Sequence, residues 1–358
     1  MHENNKSEYL ELVFPLFGVL LIIFTAYYSC LNNDFVNWDT DEYILKNLDI
    51  RSLDFASLKR MFFSTILDGY SPLTSLSFAL EYHFFGYRAF VFHFNNILLH
   101  LLVVVLIFLF SRQCGLTKRA ALCSAFIFGI HPMHVESVAW VVERKDVLYS
   151  AFYMASLCTY MKYIQSTQRT YYIIAVLFGL LSMLSKAMAL SLPLLFFLCD
   201  WKEKRKFSFL LLLEKIPVFS YVFFIALITF SQHARVPDIG NFSNAFLIWT
   251  WTFVFYIQKF FFPIVLIPLY SLQQPVAFTN IQYFLSGFTF VALLILLYKL
   301  RERRWLVFAV LFYFLSIFFL LRFDAGDIGF VADRFMYLPS LGFCMLLGLI
   351  IDNILSKP

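Results

Sequence analysis

The chain has 358 residues, of which 61% are hydrophobic, 20% aromatic and only 14% charged, with a net charge of +5 and a mean hydropathy of +0.75. Ordinary soluble domains carry about 25% charged residues, so this composition excludes a water-soluble globular protein and points to an integral membrane protein. The modest positive charge carries no signature of a nucleic-acid partner. Cys30, Cys114, Cys123, Cys158, Cys199 and Cys344 are scattered, with neither a CxxC pair nor a metal-ligand spacing, which leaves neither a disulfide framework nor a zinc site.

Apolar runs near the length of a bilayer crossing recur along the chain. In order they are 12–31, 90–110, 120–133, 147–163, 171–184, 187–199, 209–230, 281–300, 305–321 and 335–351, with 246–262 ambiguous. The first has no small-residue cleavage site after it and reads as a retained anchor. Arg112, Lys118 and Arg119, then Lys162 and Arg169, then DWKEKRK (200–206) and KLRERR (299–304) mark one side as cytoplasmic. That parity puts the long segment 32–89 outside, with 131–146, Lys186, 231–244 and 322–334. It holds only if 246–262 does not cross. That piece contains Gln258 and Lys259, ends at Pro263 and is rich in aromatic residues, which suits an interfacial or re-entrant helix. The expectation is an all-α polytopic membrane protein, one transmembrane domain over 1–358, with about ten or eleven helices and both termini cytoplasmic.

Polar residues gather on the outer side. NNDFVNWDTDEYI opens the first outer loop with Asp39, Asp41 and Glu42. These are either solvated surface or carboxylates held near the interface by Trp38 and Tyr43, where desolvation raises their pKa toward base work. His93, Asn96 and His100 share one helix face. They serve either helix–helix hydrogen bonding or, for His93 near the outer end, a site. The run 120–133 is roughly 21 Å long at 1.5 Å per residue, short of a core of about 30 Å. Either the helix continues kinked past Pro132, or the polar cluster HPMHVESVAWVVERKD dips inward. His131, His134 and Glu136 leave a divalent cation such as Mg or Mn open. Arg144 and Lys145 offer a phosphate two cations, or form a charged turn. Lys186, at the apex of two short runs, is a functional residue by default and suits an anionic headgroup. In the last outer loop, with Asp324 and Asp327, Asp333 and Arg334 either pair with each other or Arg334 clamps a phosphate. Acids that deprotonate a hydroxyl, beside cations that hold a phosphate leaving group, suggest glycosyl transfer from a lipid-linked donor.

The segments FVNWDTDEYI, YSPLTSLSFALEYHFFG, FHFNNILLHLL, HPMHVESVAWVVERKDVL, LSKAMALSLPLLFFLCDW and ADRFMYLPSLGFC resemble a bacterial group of membrane proteins. That group is similar to the eukaryotic transmembrane O-mannosyltransferases that target cadherins (TMTC). The resemblance runs from about Asp34 to Cys344. It implies a GT-C fold and transfer of a sugar, mannose in the eukaryotic relatives, from a polyprenyl phosphate to Ser or Thr of a protein by inverting displacement. It also implies a bacterial plasma membrane with the site facing the periplasm. Asp39 matches the first Asp of the usual WDD, Thr40 stands where the second commonly is, and Asp41 substitutes one residue along. Glu136, Arg144, Lys145, Lys186 and Arg334 match positions of the group. Relatives usually continue into tetratricopeptide repeats, and none is read here after the last run, so a separate acceptor-binding partner is one expectation. A glycan or lipid acceptor, a transporter and an inert scaffold are the alternatives. Paired half-sequences, which a transporter of repeat architecture carries, are not found.

Overall fold

The structure is a computed structural model and describes residues 2–67, 69–232, 242–321 and 331–357. Its helices are α1 (His2–Tyr27), α2 (Phe55–Phe63), α3 (Pro72–Phe85), α4 (Ala89–Gln113), α5 (Lys118–Ile130), α6 (Val135–Ala139), α7 (Arg144–Ser166), α8 (Arg169–Ser185), α9 (Leu192–Lys202), α10 (Phe209–Leu213), α11 (Ile216–Gln232), α12 (Phe242–Phe261), α13 (Ile281–Lys299), α14 (Arg304–Ile317) and α15 (Leu341–Leu355). Short 3-10 turns and one π-helical turn, Asp41–Leu45, join them, and no β-strand occurs among the described residues. The all-α class expected from the sequence is what the chain forms.

Val13–Asn32, Ala89–Gln113, Phe209–Thr229 and Ile281–Lys299 are long and apolar enough to cross a membrane, and shorter apolar helices join them at Arg169–Ser185, Arg304–Leu320 and Leu341–Leu355. α13 turns Phe284, Phe288, Val291 and Ile295 outward, as a helix bathed in lipid does. Where helices meet, small residues and hydroxyls replace bulk, the usual way apolar helices approach closely. Ser182 on α8 donates to the Tyr149 carbonyl of α7 at 2.8 Å, and Ser156 on α7 donates to the Ala175 carbonyl of α8 at 2.7 Å.

The molecule has two dissimilar ends. At one, Lys202 reaches the Cys114 carbonyl, Arg304 stacks on Trp201, and Arg119 pairs with Asp352. Arg112, Lys118, Arg169 and the 299–304 run share this end. At the other lie Arg334, Lys186 and the turn that follows α5. α5 stops at Ile130 rather than continuing past Pro132. The chain breaks there into a 3-10 turn, the short α6 and a second 3-10 turn before α7 begins. Pro132 lacks the N–H that a continuing helix would use.

The segment after α1 folds over this second end with a core of its own. Tyr43, Ile44, Ile50, Met61 and Phe78 pack on Phe92 of α4 and on Val141 and Val142. This core holds the π-helical turn, and Asp39 just before it, against the start of α7. α12 touches the same end. Phe260 stacks on His131 at 4.4 Å and meets Phe343 in the first turn of α15, while Tyr313 near the end of α14 donates to the Phe253 carbonyl. Further back along α12, Trp249 and Phe253 pack on Phe290 of α13 and Phe314 of α14.

Candidate functional site

Four breaks in helical structure converge at this end. Asp39 precedes the π-helical turn. Glu143 closes a 3-10 turn and Lys145 follows in the first turn of α7. Lys186 is extended (φ −159°, ψ 135°) between α8 and the 3-10 turn before α9. Arg334 sits in the 3-10 turn Asp333–Met336. Together they line a cavity of about 380 Å³, with Tyr43, Ser71 and others completing the wall. The residues come from positions almost 300 apart in sequence, yet face one space.

Glu143 is the hub and is only 2% exposed. Lys186 approaches its carboxylate at 3.1 Å, Arg334 Nε at 3.5 Å and Lys145 at 3.6 Å. Burial by itself would raise the Glu143 pKa, but the cations Lys145, Lys186 and Arg334 outweigh it and hold the carboxyl below the ordinary range. Asp146 takes Lys186 at 2.6 Å and the Ser137 hydroxyl at 2.9 Å. Glu136 takes Arg334 Nη1 at 2.5 Å and its backbone N–H at 3.1 Å. Lys145 also lies over the Tyr43 ring, 4.3 Å from the centroid. Three cations are therefore tied to Glu143, Asp146 and Glu136, with Asp39 as a further carboxylate on the cavity wall. What the cavity offers an anion is oriented donors rather than excess charge. An ammonium has three N–H groups and a guanidinium five, so the ion pairs leave donors toward the cavity.

The structure separates residues that the sequence groups together. Of the acidic triplet only Asp39 lines the cavity. Asp41 is paired with Lys46 at 2.8 Å, and Glu42 turns to a neighbouring polar cleft. Thr40 is fully buried, with no partner for its hydroxyl. Arg144, expected beside Lys145 as a phosphate ligand, is instead an internal strut. Its guanidinium binds Glu81 of α3, the Asn96 side chain at 2.7 Å and the Phe92 carbonyl at 2.7 Å, between the Phe78 and Phe92 rings. That leaves it no reach to the cavity. Asn96 is thereby a partner of Arg144, and His100 bridges Tyr337 and the Gly129 carbonyl.

His131, His134 and Glu136 do not form a ligand set. His131 contacts the Phe260 carbonyl at 3.0 Å and the Met133 N–H at 3.3 Å. His134 contacts the Phe128 carbonyl at 2.7 Å and the Ser340 hydroxyl at 3.0 Å. Both ring nitrogens of each are engaged, and Glu136 belongs to Arg334. No group of three metal-binding side chains occurs among the described residues. His93 is buried against a different cavity, beside Asn32, Asn33 and Asp34, and its ring nitrogens close no hydrogen bond. Asp333 does not pair with Arg334 but accepts the Tyr270 hydroxyl at 2.9 Å, and burial pushes its pKa up to about 6. Asp324 and Asp327 lie outside the described residues. Glu143, the hub, was read only as part of a charged turn. Glu81, inside YSPLTSLSFALEYHFFG, was not singled out, although a carboxylate in an apolar run is a signal for a buried cationic partner.

No family model matches the chain. It is similar to the protein O-mannosyl-transferase Tmtc1 of Drosophila melanogaster, 30% identical over 193 residues, which cover 52% of this chain and 22% of that protein. It is 30% identical over 238 residues to human TMTC4, covering 57% of this chain and 32% of the relative. Mouse TMTC3 is 38% identical over 93 residues, 26% of this chain and 10% of that protein. The chain thus spans about a third or less of these relatives. Among solved structures it is similar to the oligosaccharyltransferase of Archaeoglobus fulgidus tethered with an acceptor peptide, at 14% identity and a TM-score of 0.51, over 96% of this chain and 50% of that one. At that identity the likeness is one of fold, and the fold is the GT-C class expected from the sequence.

Proposed function

We propose that this chain is a glycosyltransferase that moves a sugar, mannose first, from a polyprenyl-phosphate donor to a hydroxyl acceptor, Ser or Thr of a protein. The place is the outer face of a bacterial plasma membrane. One observation carries the reading: Asp39, beside the ion-paired Glu143, shares a cavity with Lys145, Lys186 and Arg334, at the end of the molecule opposite its other basic loops. The similarity to protein O-mannosyl-transferases supports it.

The step balances with these residues. The Asp39 carboxylate takes the proton of the acceptor hydroxyl as that oxygen bonds to the anomeric carbon. The bond from the anomeric carbon to the donor's phosphate oxygen breaks, and its electron pair leaves with the polyprenyl phosphate. Lys145, Lys186 and Arg334 hold the phosphate and stabilise the charge it gains, which makes their contribution greatest in the transition state. Glu143 keeps the cations in place when the donor is absent. A base that lies in the same cavity as the leaving group needs no residue to move for transfer.

Purified protein in nanodiscs, given radiolabelled polyprenyl-phosphate mannose or glucose and a mixed envelope extract, with and without EDTA, tests this reading. Label in protease-sensitive material is the expected result. Label in glycan or lipid would replace the acceptor, and absence of both transfer and donor binding would remove the enzyme reading.

A further inference from the structure

A second cavity, about 990 Å³ in volume, opens between α12, α13 and the segment 263–275. It belongs to no step described above. Its rim is apolar and outward-facing: Phe262 is 65% exposed, Ile264 86% and Leu285 52%. Its wall is mainly apolar, from Trp251, Val254 and Phe255, with scattered polar groups from Gln258, Ser271, Gln282, Ser286 and Thr289. Lys259 is the one charged side chain that lines it. The ammonium donates to the Val265 carbonyl at 2.5 Å and lies 4.8 Å from the Tyr270 ring centroid, and it forms no ion pair among the described residues.

We infer that this cleft is a binding site for one anionic phospholipid, whose phosphodiester meets Lys259 and whose chains leave through the apolar rim into the bilayer. Lys259 has no ion-pair partner among the described residues and feels the Asp333 carboxylate only through space, which leaves its ammonium free to take an anion, and basic pockets between helices are natural headgroup sites. One lysine matches the single negative charge of a phosphodiester. The hydroxyl and amide groups around it suit ester oxygens and a polyol headgroup. The site is distinct from the Asp39 cavity, where three cations are locked to carboxylates. The two are nevertheless adjacent: Tyr270, on the wall of this cleft, donates to Asp333, the residue before Arg334, and Arg334 also reaches the Pro268 carbonyl at 3.4 Å. A lipid in the cleft therefore packs against the segment that positions Arg334.

Native mass spectrometry of the detergent-purified chain, delipidated and then offered phosphatidylglycerol, phosphatidylcholine or undecaprenyl phosphate, reads this directly. One phosphatidylglycerol is expected to be retained about fivefold better than phosphatidylcholine, the preference a single lysine supplies. Lys259→Gln should lose the preference and Lys259→Arg keep it. Thr289→Phe, which fills the cleft and leaves the charge, should lose the bound lipid altogether. Equal retention of the two phospholipids, or an unchanged adduct in both Lys259→Gln and Thr289→Phe, would overturn the site. Stoichiometric displacement of phosphatidylglycerol by undecaprenyl phosphate would also overturn it, by making the cleft part of the donor's path. Lys259→Arg and Thr289→Phe keep the test open if Lys259→Gln does not fold.

Discussion

Asp39 and Asp41 stand two positions apart and meet different partners. Asp39 looks into the cavity of Lys145, Lys186 and Arg334, whereas Asp41 is neutralised by Lys46 at the surface. Asp39→Asn is therefore expected to slow transfer by about 10²–10⁴, the usual contribution of a positioned base, while Asp41→Asn stays within about threefold of the native rate. The same contrast separates Arg144 from Lys145. Arg144→Ala leaves Glu81 buried without its cation, which should cost about 3–5 kcal/mol and show as a large drop in Tm in detergent. Lys145→Ala should fold and bind donor less well. The residue types were legible in the sequence, and Asp39, Lys145, Lys186 and Arg334 do meet. Direction was not legible, because adjacent positions near the start of a helix point about 100° apart and ERKD reads as one charged patch. The same limit hid the engagement of His131 and His134. Asp333 gives a pH test. Its folded pKa of about 6 lies above its ordinary value, so the folded state binds the proton more tightly and gains stability as pH falls through that range. Asp333→Asn should be more stable than the native chain at pH 8, and the difference should shrink toward pH 5 in thermal unfolding.

Helix breaks rather than helices build the site. α5 ends at Ile130, α8 at Ser185 and the chain is irregular before α15, so backbone leaves the bundle where the charged residues sit. The shortness of 120–133 and the apex at Lys186 were visible in the sequence, and Pro132 decides between the two readings by ending the helix. The segment 32–89 read only as a long outer loop. Its separate core around Tyr43, Ile50 and Phe78 depends on contacts with Phe92 and Val142 that no local pattern announces. Close helix packing is equally non-local. Gly348 of α15 lies so near Ser124 and the Ala120 carbonyl of α5 that a side chain there has no room. Gly348→Leu should destabilise the protein by about 1–3 kcal/mol through overpacking, whereas Gly287→Leu, on a face with open space, should leave the Tm unchanged. Equal Tm values for the two variants would contradict this packing.

Taken as one molecule, the chain segregates its charge. Basic loops occupy one end, and the other carries cations tied to carboxylates around a cavity. The first half of that pattern was legible from composition and loop charge alone, because the bias in Lys and Arg is a local property of the sequence. The second half required the fold. The proposed orientation has a direct test: cysteine introduced at Lys46, 65% exposed, should be labelled by an impermeant reagent from outside the cell, and at Glu302, 91% exposed, only after the membrane is opened. Labelling of both from one side would refute the assignment. The most direct measurement pairs donor binding with transfer in Asp39→Asn and in Lys186→Ala, using labelled polyprenyl-phosphate mannose and folded protein verified by Tm. The expected result is a split: Asp39→Asn binds donor like the native chain and fails to transfer, whereas Lys186→Ala binds donor weakly. Native transfer rates in Asp39→Asn, with native donor affinity in Lys186→Ala, would contradict a base and a phosphate clamp in one cavity.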